Sequence, residues 1–529
     1  MDRRQVLKTT ALGLTALAGG IAAPAIAQPA RVLKFVPHAD LTVVDPIMSA
    51  AFITRNHAAM VYDTLYGVDD KLVPHPQMVE GHVVEDDGKT WKITLREGLK
   101  FHDGTPVLAR DAAASIKRWG ARDVMGGALM AETNEISAPS DKVLQFRLKR
   151  PFRLLPDFLG KPGGSLPAIM PERLANTDPN KAITEIIGSG PFRYLANERM
   201  VGARVAYARF AEYKPRTSGT TSWLAGPKVA HFDRVEWITM PDASTAAAAL
   251  QSGEIDWWEN PTSDLAAMLR TQSQLQVETL DPAGALMMIR LNHLQAPFNN
   301  PAIRRALLSA INQSDYMAAV MGDPKLSRDK VGFFLPGSPM ESSTKMDLLN
   351  GPRDFAKAKR ELAAAGYKGE KVVLIMPTDS AITTPLAQVT ADMLRRCGMN
   401  VDVQAMDSGG QWAKLGSKEP VDAGGWSVWC NWAAGYATAT PVAHTYLRGI
   451  GTKAVWGWPD DSKLEQLRTS WMDETDVAKQ KLIANAIQER AFETLPYIPL
   501  GIGYQPTAYS KKLTGVLKGM PMFYNVRRA

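Results

Sequence analysis

The chain has 529 residues, 45% hydrophobic and 22% charged, with 41 Gly and 35 Pro, the make-up of globular material long enough for two or three domains with separate cores. One undivided core is not expected at this length, and the composition excludes a disordered or fibrous chain. A formal net charge of +7 with no basic run beyond the N-terminus excludes the electrostatic footprint of a nucleic-acid binder.

At the N-terminus Arg3, Arg4 and Lys8 precede an apolar stretch from Ala11 to Ile26, which ends in the small-x-small site Ala25-Ile26-Ala27. A cleaved signal peptide over residues 1–27 is expected, with the mature chain starting near Gln28 and residing in the periplasm. The order Arg3-Arg4-Gln5-Val6-Leu7-Lys8 resembles a twin-arginine export signal, with Val6 where that pattern favours Phe. The stretch is short for a bilayer span of about 20 residues and is diluted by Gly, Thr and Pro24. Cys397 and Cys430 are the only cysteines, so no disulfide framework is expected, and a single bridge between them stays open.

Val32 to Val36 reads as a strand leading into His38 and Asp40, Ala58 to Leu65 as a helix, and Tyr66 to Asp70 as the turn that ends it. The clearest local pattern follows. Asp86-Asp87-Gly88 signals a tight turn, and Trp91, Ile93 and Leu95 alternate with polar residues as a half-buried strand does. After the turn Asp103-Gly104-Thr105-Pro106, the spacing of Ala112, Ile116 and Trp119 predicts an amphipathic helix that Gly120 stops. Val143 to Leu148 is another alternating strand. Gly188-Ser189-Gly190 is no phosphate loop, because Pro191-Phe192 stands where a Lys-Ser/Thr pair would be needed.

Val235 to Thr239 reads as a strand, and Ala243 to Leu250 as a helix ending at Ser252-Gly253. Trp257-Trp258 then places two indoles at a strand end, one facing each way. Met287 to Asn292 is a strand, and Ile303, Leu307 and Ile311 form the aliphatic stripe of a helix with Arg304 and Arg305 to one side. Helices at Asp354 to Gly366 and Thr384 to Cys397 alternate with apolar runs at Val372 to Met376 and Val401 to Val403, which predicts a βαβ layer with a parallel sheet. Val477 to Glu493 is the last long helix.

As literal strings, DDGKTW followed by LREGLKFHDGTP, then IIGSGPF, GEID and APFNNPAIRRAL resemble segments of the extracellular solute-binding proteins of ABC importers, family 5, the dipeptide, oligopeptide and nickel type. The resemblance spans nearly all of the mature chain. It implies an α/β, two-lobe periplasmic binding protein of the large cluster-C type with a small extra subdomain in lobe I. Lobe I would comprise residues 28–75, 185–285 and 497–529, the inserted subdomain 76–184, and lobe II 286–496. The implied function is capture of a peptide or other small organic solute by hinge closure and delivery to an inner-membrane ABC permease, by a monomer with no cofactor, no metal and no nucleic-acid partner. Alternatives are a secreted hydrolase on the same scaffold and a ligand receptor for a sensor.

No catalytic constellation accompanies this: H-E-x-x-H, C-x-x-C, G-x-S-x-G and G-x-G-x-x-G are all missing. The informative stretch is Gly424 to Tyr446, where Trp426, Trp429, Trp432 and Tyr436 fall within eleven residues among Gly and Ala. Rigid aromatics at that density suit a stacking platform for a small solute, or a buried strand with aromatic filler. Peptide-binding members of the resembled family place an Asp here for the ligand's ammonium, yet no acidic residue lies between Asp422 and Asp460. Asp40 or Glu259 would then hold the amine, or the ligand has none. The expected ligand contacts are Trp426, Trp429, Asn431, Trp432 and Tyr436 from lobe II, with His38, Asp40, Trp258 and Tyr504 from lobe I. On this reading truncating Trp429 weakens binding tenfold or more.

Overall fold

Strand-forming segments of this chain gather into two large sheets, a four-stranded one and two two-stranded ribbons in a computed structural model that describes residues 31–529. The signal segment read at residues 1–27 lies outside the described residues. The seven-stranded sheet runs from edge to edge as Leu275–Glu278, Thr507–Ser510, Trp257–Trp258, Val32–Val36, Arg234–Ile238, Arg204–Arg209 and Phe192–Tyr194. Val32–Val36 has parallel neighbours on both sides, so both its faces are covered. Phe35 enters one core beside Trp237, Trp257 and Phe523, and Val36 enters a second under the helix Ala243–Ser252.

The six-stranded sheet of the second lobe has the order Ser327–Arg328, Ile498–Gly503, Ala285–Leu291, Val428–Ala434, Lys371–Pro377 and Asn400–Met406. Its parallel part is the predicted βαβ unit: Lys371–Pro377 and Asn400–Met406 pair along their length, with the helix Thr383–Arg396 between them. Ala285–Leu291 is antiparallel to both of its neighbours, which makes the sheet mixed. A four-stranded sheet, Val79–Glu85, Thr90–Leu95, Val143–Leu148 and Thr133–Ser137, forms the small extra layer.

In that small sheet Asp86, Asp87 and Gly88 adopt φ of 51°, 54° and 94°, a run of left-handed backbone that Asp and Gly tolerate best. Trp91, Ile93 and Leu95 are buried, as their alternation requires. The helix over Ala109–Gly120 forms, but Gly120 does not stop it by a left-handed turn. A Cβ on Gly120 would meet Met130 at 2.5 Å, so this glycine admits the following helix Val124–Glu132. Gly253, with φ 77°, is a left-handed cap.

Four expectations are corrected. The first helix spans Phe52–Val61 rather than Ala58 to Leu65, because Thr54, Arg55, Asn56 and His57 are buried polar residues that break its apolar period. Tyr66–Val68 is a strand paired with Pro74–Pro76, not a turn. The Ile303 to Ile311 stripe is split between the helix Pro301–Ala306 and the short turn Leu308–Ala310, and Arg304 is buried, donating to the carbonyls of Phe298 and Thr494 at 2.6 and 2.8 Å. Finally, Ile498–Gly503 belongs to the six-stranded sheet, so the chain returns to the seven-stranded one at residues 504–506, not at 497.

The lobes are therefore joined by two crossings, residues 279–284 and 504–506. They touch: a Cβ on Gly284 would lie 2.8 Å from the Tyr504 ring. At the far side Arg150, held bidentately by Glu132 at 2.6 and 2.8 Å, also pairs with Asp473 of the second lobe. Cys397 and Cys430 are separate buried thiols, each pushed up to about 12 chiefly by burial.

Candidate functional site

The helix Phe52–Val61 projects its first turn to where the lobes meet. Arg55, 3% exposed, lies with its guanidinium 4.3 Å over the Phe52 ring. Its Nε and Nη2 donate to Asn56 Oδ1 at 3.1 and 2.9 Å, and Nη1 donates to the Tyr436 hydroxyl of the other lobe at 3.1 Å. Asn56 Nδ2 donates to Glu259 Oε1 at 3.0 Å. Glu259 Oε2 accepts the His38 amide at 2.8 Å and meets His38 Nδ1 at 2.7 Å. A continuous polar line, His38, Glu259, Asn56, Arg55 and Tyr436, thus runs from the strand ends of the seven-stranded sheet into the second lobe.

The charges along it are interdependent. Burial is the largest effect on His38 and opposes protonation, but the Glu259 carboxylate outweighs it and holds the imidazole above its ordinary pKa. Burial likewise opposes ionisation of Glu259, and His38 with its hydrogen bonds brings that carboxyl below its ordinary value. His38 is raised and Glu259 lowered, so each shift favours the charged form and the two groups form an ion pair.

From the second lobe the strand Val428–Ala434 delivers Trp432, whose ring meets Phe52 edge-on at 5.2 Å. The turn Gly435–Thr438 follows, with the Gly435 amide donating to the Gly284 carbonyl at 2.8 Å. A Cβ at Gly435 would meet the Ala283 carbonyl at 1.9 Å, so glycine lets this turn sit against the first crossing. Tyr436 is aimed from there at Arg55, with Trp223 of the first lobe 6.0 Å away.

Of the nine residues expected at the site, the structure brings Trp432 and Tyr436 together with the first lobe and connects His38 to them through Glu259. Tyr504 stands in the second crossing, its ring against Gly284. Asn431 points to the opposite face of its strand and donates to the Tyr446 hydroxyl at 2.7 Å. Asp40 accepts the Gly202 amide at 3.0 Å. Trp258 is a correction: it packs with Val36, Ala246 and Leu250 in the second core of the first lobe. Trp426 and Trp429 are corrections too, at 0% and 1% exposure in a core with Trp458, Val373 and Ile375, flanked by Trp456. Phe52, Arg55, Asn56 and Trp223 escaped the sequence reading. The run Arg55-Asn56-His57 inside an otherwise apolar helix was the available signal, since buried polar residues require partners.

Two lobes joined by two adjacent crossings, with a polar and aromatic line buried where they meet, define a two-lobe solute-binding protein. Residues 73–454 match the model of bacterial extracellular solute-binding proteins, family 5 Middle, and the chain belongs to this family. It is 36% identical over 493 residues, 93% of this chain and 92% of the relative, to the "Probable peptide ABC transporter periplasmic-binding protein y4tO" of Sinorhizobium fredii. It is 26% identical over 520 residues, 95% of each chain, to the glutathione-binding protein GsiB of Escherichia coli. Among solved structures, the binding protein AgaA of A. tumefaciens in complex with agropinic acid has a TM-score of 0.77 at 22% identity, covering 94% of this chain and 99% of that one. DppA of Helicobacter pylori with the peptide STSA has a TM-score of 0.76 at 20% identity, covering 94% and 98%. The last two likenesses support the fold.

Proposed function

We propose that this protein is the periplasmic solute-binding component of an ABC importer, taking up a peptide or other small organic solute between its lobes and presenting it to an inner-membrane permease. The observation that carries the reading is the Arg55 to Tyr436 contact beneath Phe52, Trp432 and Trp223. It joins residues 381 apart in sequence across the meeting line of the lobes. Hinge motion about the two crossings opens this line, and closure on a solute excludes water and strengthens its polar contacts. Binding and release involve no chemical step, and the protein acts as a monomer. Export proceeds by a signal peptide at residues 1–27, of twin-arginine type.

A thermal-shift screen of the chain from Gln28 onward tests this, against di- to pentapeptides, sugars, opine-like acids, and nickel with and without chelators. A rise of several degrees with one class is expected by mass action, since a ligand that binds only the folded state stabilises it. No shift in any class would contradict solute capture.

A further inference from the structure

The C-terminus of a helix carries partial negative charge, so an acid as its last residue is disfavoured unless a cation answers it. Two helices that end on an acid converge here on one arginine. Val124–Glu132, beside the small four-stranded sheet, ends on Glu132, and Ser462–Asp473 of the second lobe ends on Asp473. Between them stands Arg150, just past the strand Val143–Leu148. Its Nε and Nη2 donate to the two Glu132 oxygens at 2.6 and 2.8 Å, while Nη1 faces Asp473 Oδ1. Among the described residues Asp473 has no other ion-pair partner.

The small sheet is held fast to the first lobe. Arg118, on the helix Ala109–Gly120 that packs on this sheet, pairs with the buried Asp45 at 2.8 Å, and Asp45 also accepts the Ile183 amide at 2.9 Å. Arg150 therefore moves with the first lobe and Asp473 with the second. Another charged pair joins the lobes, Arg270 with Asp323 at 3.7 Å, but it is fixed beside the second crossing. Ser263, on the same helix Ser263–Arg270, donates to the Met321 carbonyl at 2.8 Å, and a Cβ on Gly503 would meet Met321 Sδ at 2.7 Å. A rotation about the crossings changes that pair least. Arg150 and Asp473 lie on elements outside both large sheets, and a rotation that opens the cleft draws them apart.

We propose that Arg150 and Asp473 form a clasp between the small sheet and the second lobe, which holds a share of the solute-free protein closed and which salt loosens. This goes beyond solute capture, since it gives the small sheet the task of setting the opening equilibrium without contacting solute. The bidentate hold of Glu132 fixes the Arg150 guanidinium in advance, so little side-chain freedom is lost when Asp473 arrives. Opening leaves Arg150 paired with Glu132 and puts Asp473, at its helix end, in water alone. Where the closed form is the minority, the apparent dissociation constant of any solute rises by the factor by which the closed share falls.

The test needs no solute. Nitroxide labels on the exposed sites Val84→Cys, in the small sheet, and Leu482→Cys, in the helix Val477–Thr494, report the distance between the lobes of the mature chain by pulsed electron resonance, with the buried Cys397 and Cys430 left unlabelled. The labelled protein is expected to show a short and a long population, their ratio falling about two- to fivefold between about 20 mM and about 1 M salt, the range of one partly exposed ion pair. Asp473→Asn should start at the high-salt ratio and stay there, with an unchanged melting temperature because Asp473 is half-exposed. Arg150→Lys, which keeps the charge but cannot hold Glu132 and Asp473 together, should fall between, and Arg270→Gln should leave the ratio as it is. A single population, a ratio that salt leaves alone, or an Asp473→Asn ratio equal to that of the unaltered protein would overturn the clasp. None of these results bears on solute capture, which the thermal-shift screen decides.

Discussion

The two halves of the segment from Trp426 to Tyr436 are alike in composition and opposite in circumstance. Trp426 and Trp429 are sealed inside the second lobe, the first donating its indole N–H to the Leu415 carbonyl at 3.2 Å and stacked 5.6 Å from Trp458, the second beside Trp456 and Trp412. Trp432 and Tyr436, a few residues on, meet Phe52, Arg55 and Trp223 of the other lobe. An aromatic-rich run is thus two devices in series, a core that holds the strand Val428–Ala434 in place and a platform presented at its end. What an indole does here depends on which surface faces it.

The sharpest way to break this contrast is by truncation. Trp426→Ala should cost about 3–5 kcal/mol of stability, the usual loss for a large aromatic removed from a core, read by urea unfolding. The affinity of the protein that remains folded should be unchanged. Trp432→Ala should do the reverse: its ring is only partly buried, so stability falls less, while solute affinity drops about tenfold or more, as for a buried anchor worth about 2 kcal/mol. Tyr436→Phe is a finer cut. It keeps the ring and removes the acceptor of Arg55 Nη1, for an expected loss of about 1 kcal/mol in ligand binding.

The smallest expected effect is on pH dependence. The folded pKa of His38 is raised, so its contribution to stability is complete below the ordinary imidazole range and lost as pH rises through the folded value. Glu259 is lowered, so its contribution is present above the ordinary carboxylate range and lost as pH falls through the folded value. Stability from the pair is therefore greatest between the two ordinary pKa values. His38→Gln should flatten the alkaline side of that profile, as measured by melting temperature against pH, and an unaltered profile would remove the ion pair from the account.

Much of the frame was legible because it follows from local chemistry. The Asp86-Asp87-Gly88 turn, the Thr90–Leu95 alternation and the Gly253 cap each rest on a few neighbouring residues, and the matching strings carried the two-lobe architecture. The site was only half legible. Strand parity already says that Trp429 and Trp432 face opposite ways, but which face meets the other lobe is a tertiary fact. Arg55 and Asn56 were missed since their burial is possible only through partners as distant as Glu259 and Tyr436.

The most direct test of the central claim, that solute is bound where Trp432 and Tyr436 meet the first lobe, is a pair of dissociation constants for one identified solute. They would be measured by calorimetry on Trp432→Ala and on Trp429→Phe, the milder change keeping the buried core folded. Binding weakened at least about tenfold in Trp432→Ala and within about threefold of the unaltered protein in Trp429→Phe is the predicted result. Loss of affinity in Trp429→Phe with none in Trp432→Ala would contradict it, and would move the binding site to the other half of the segment.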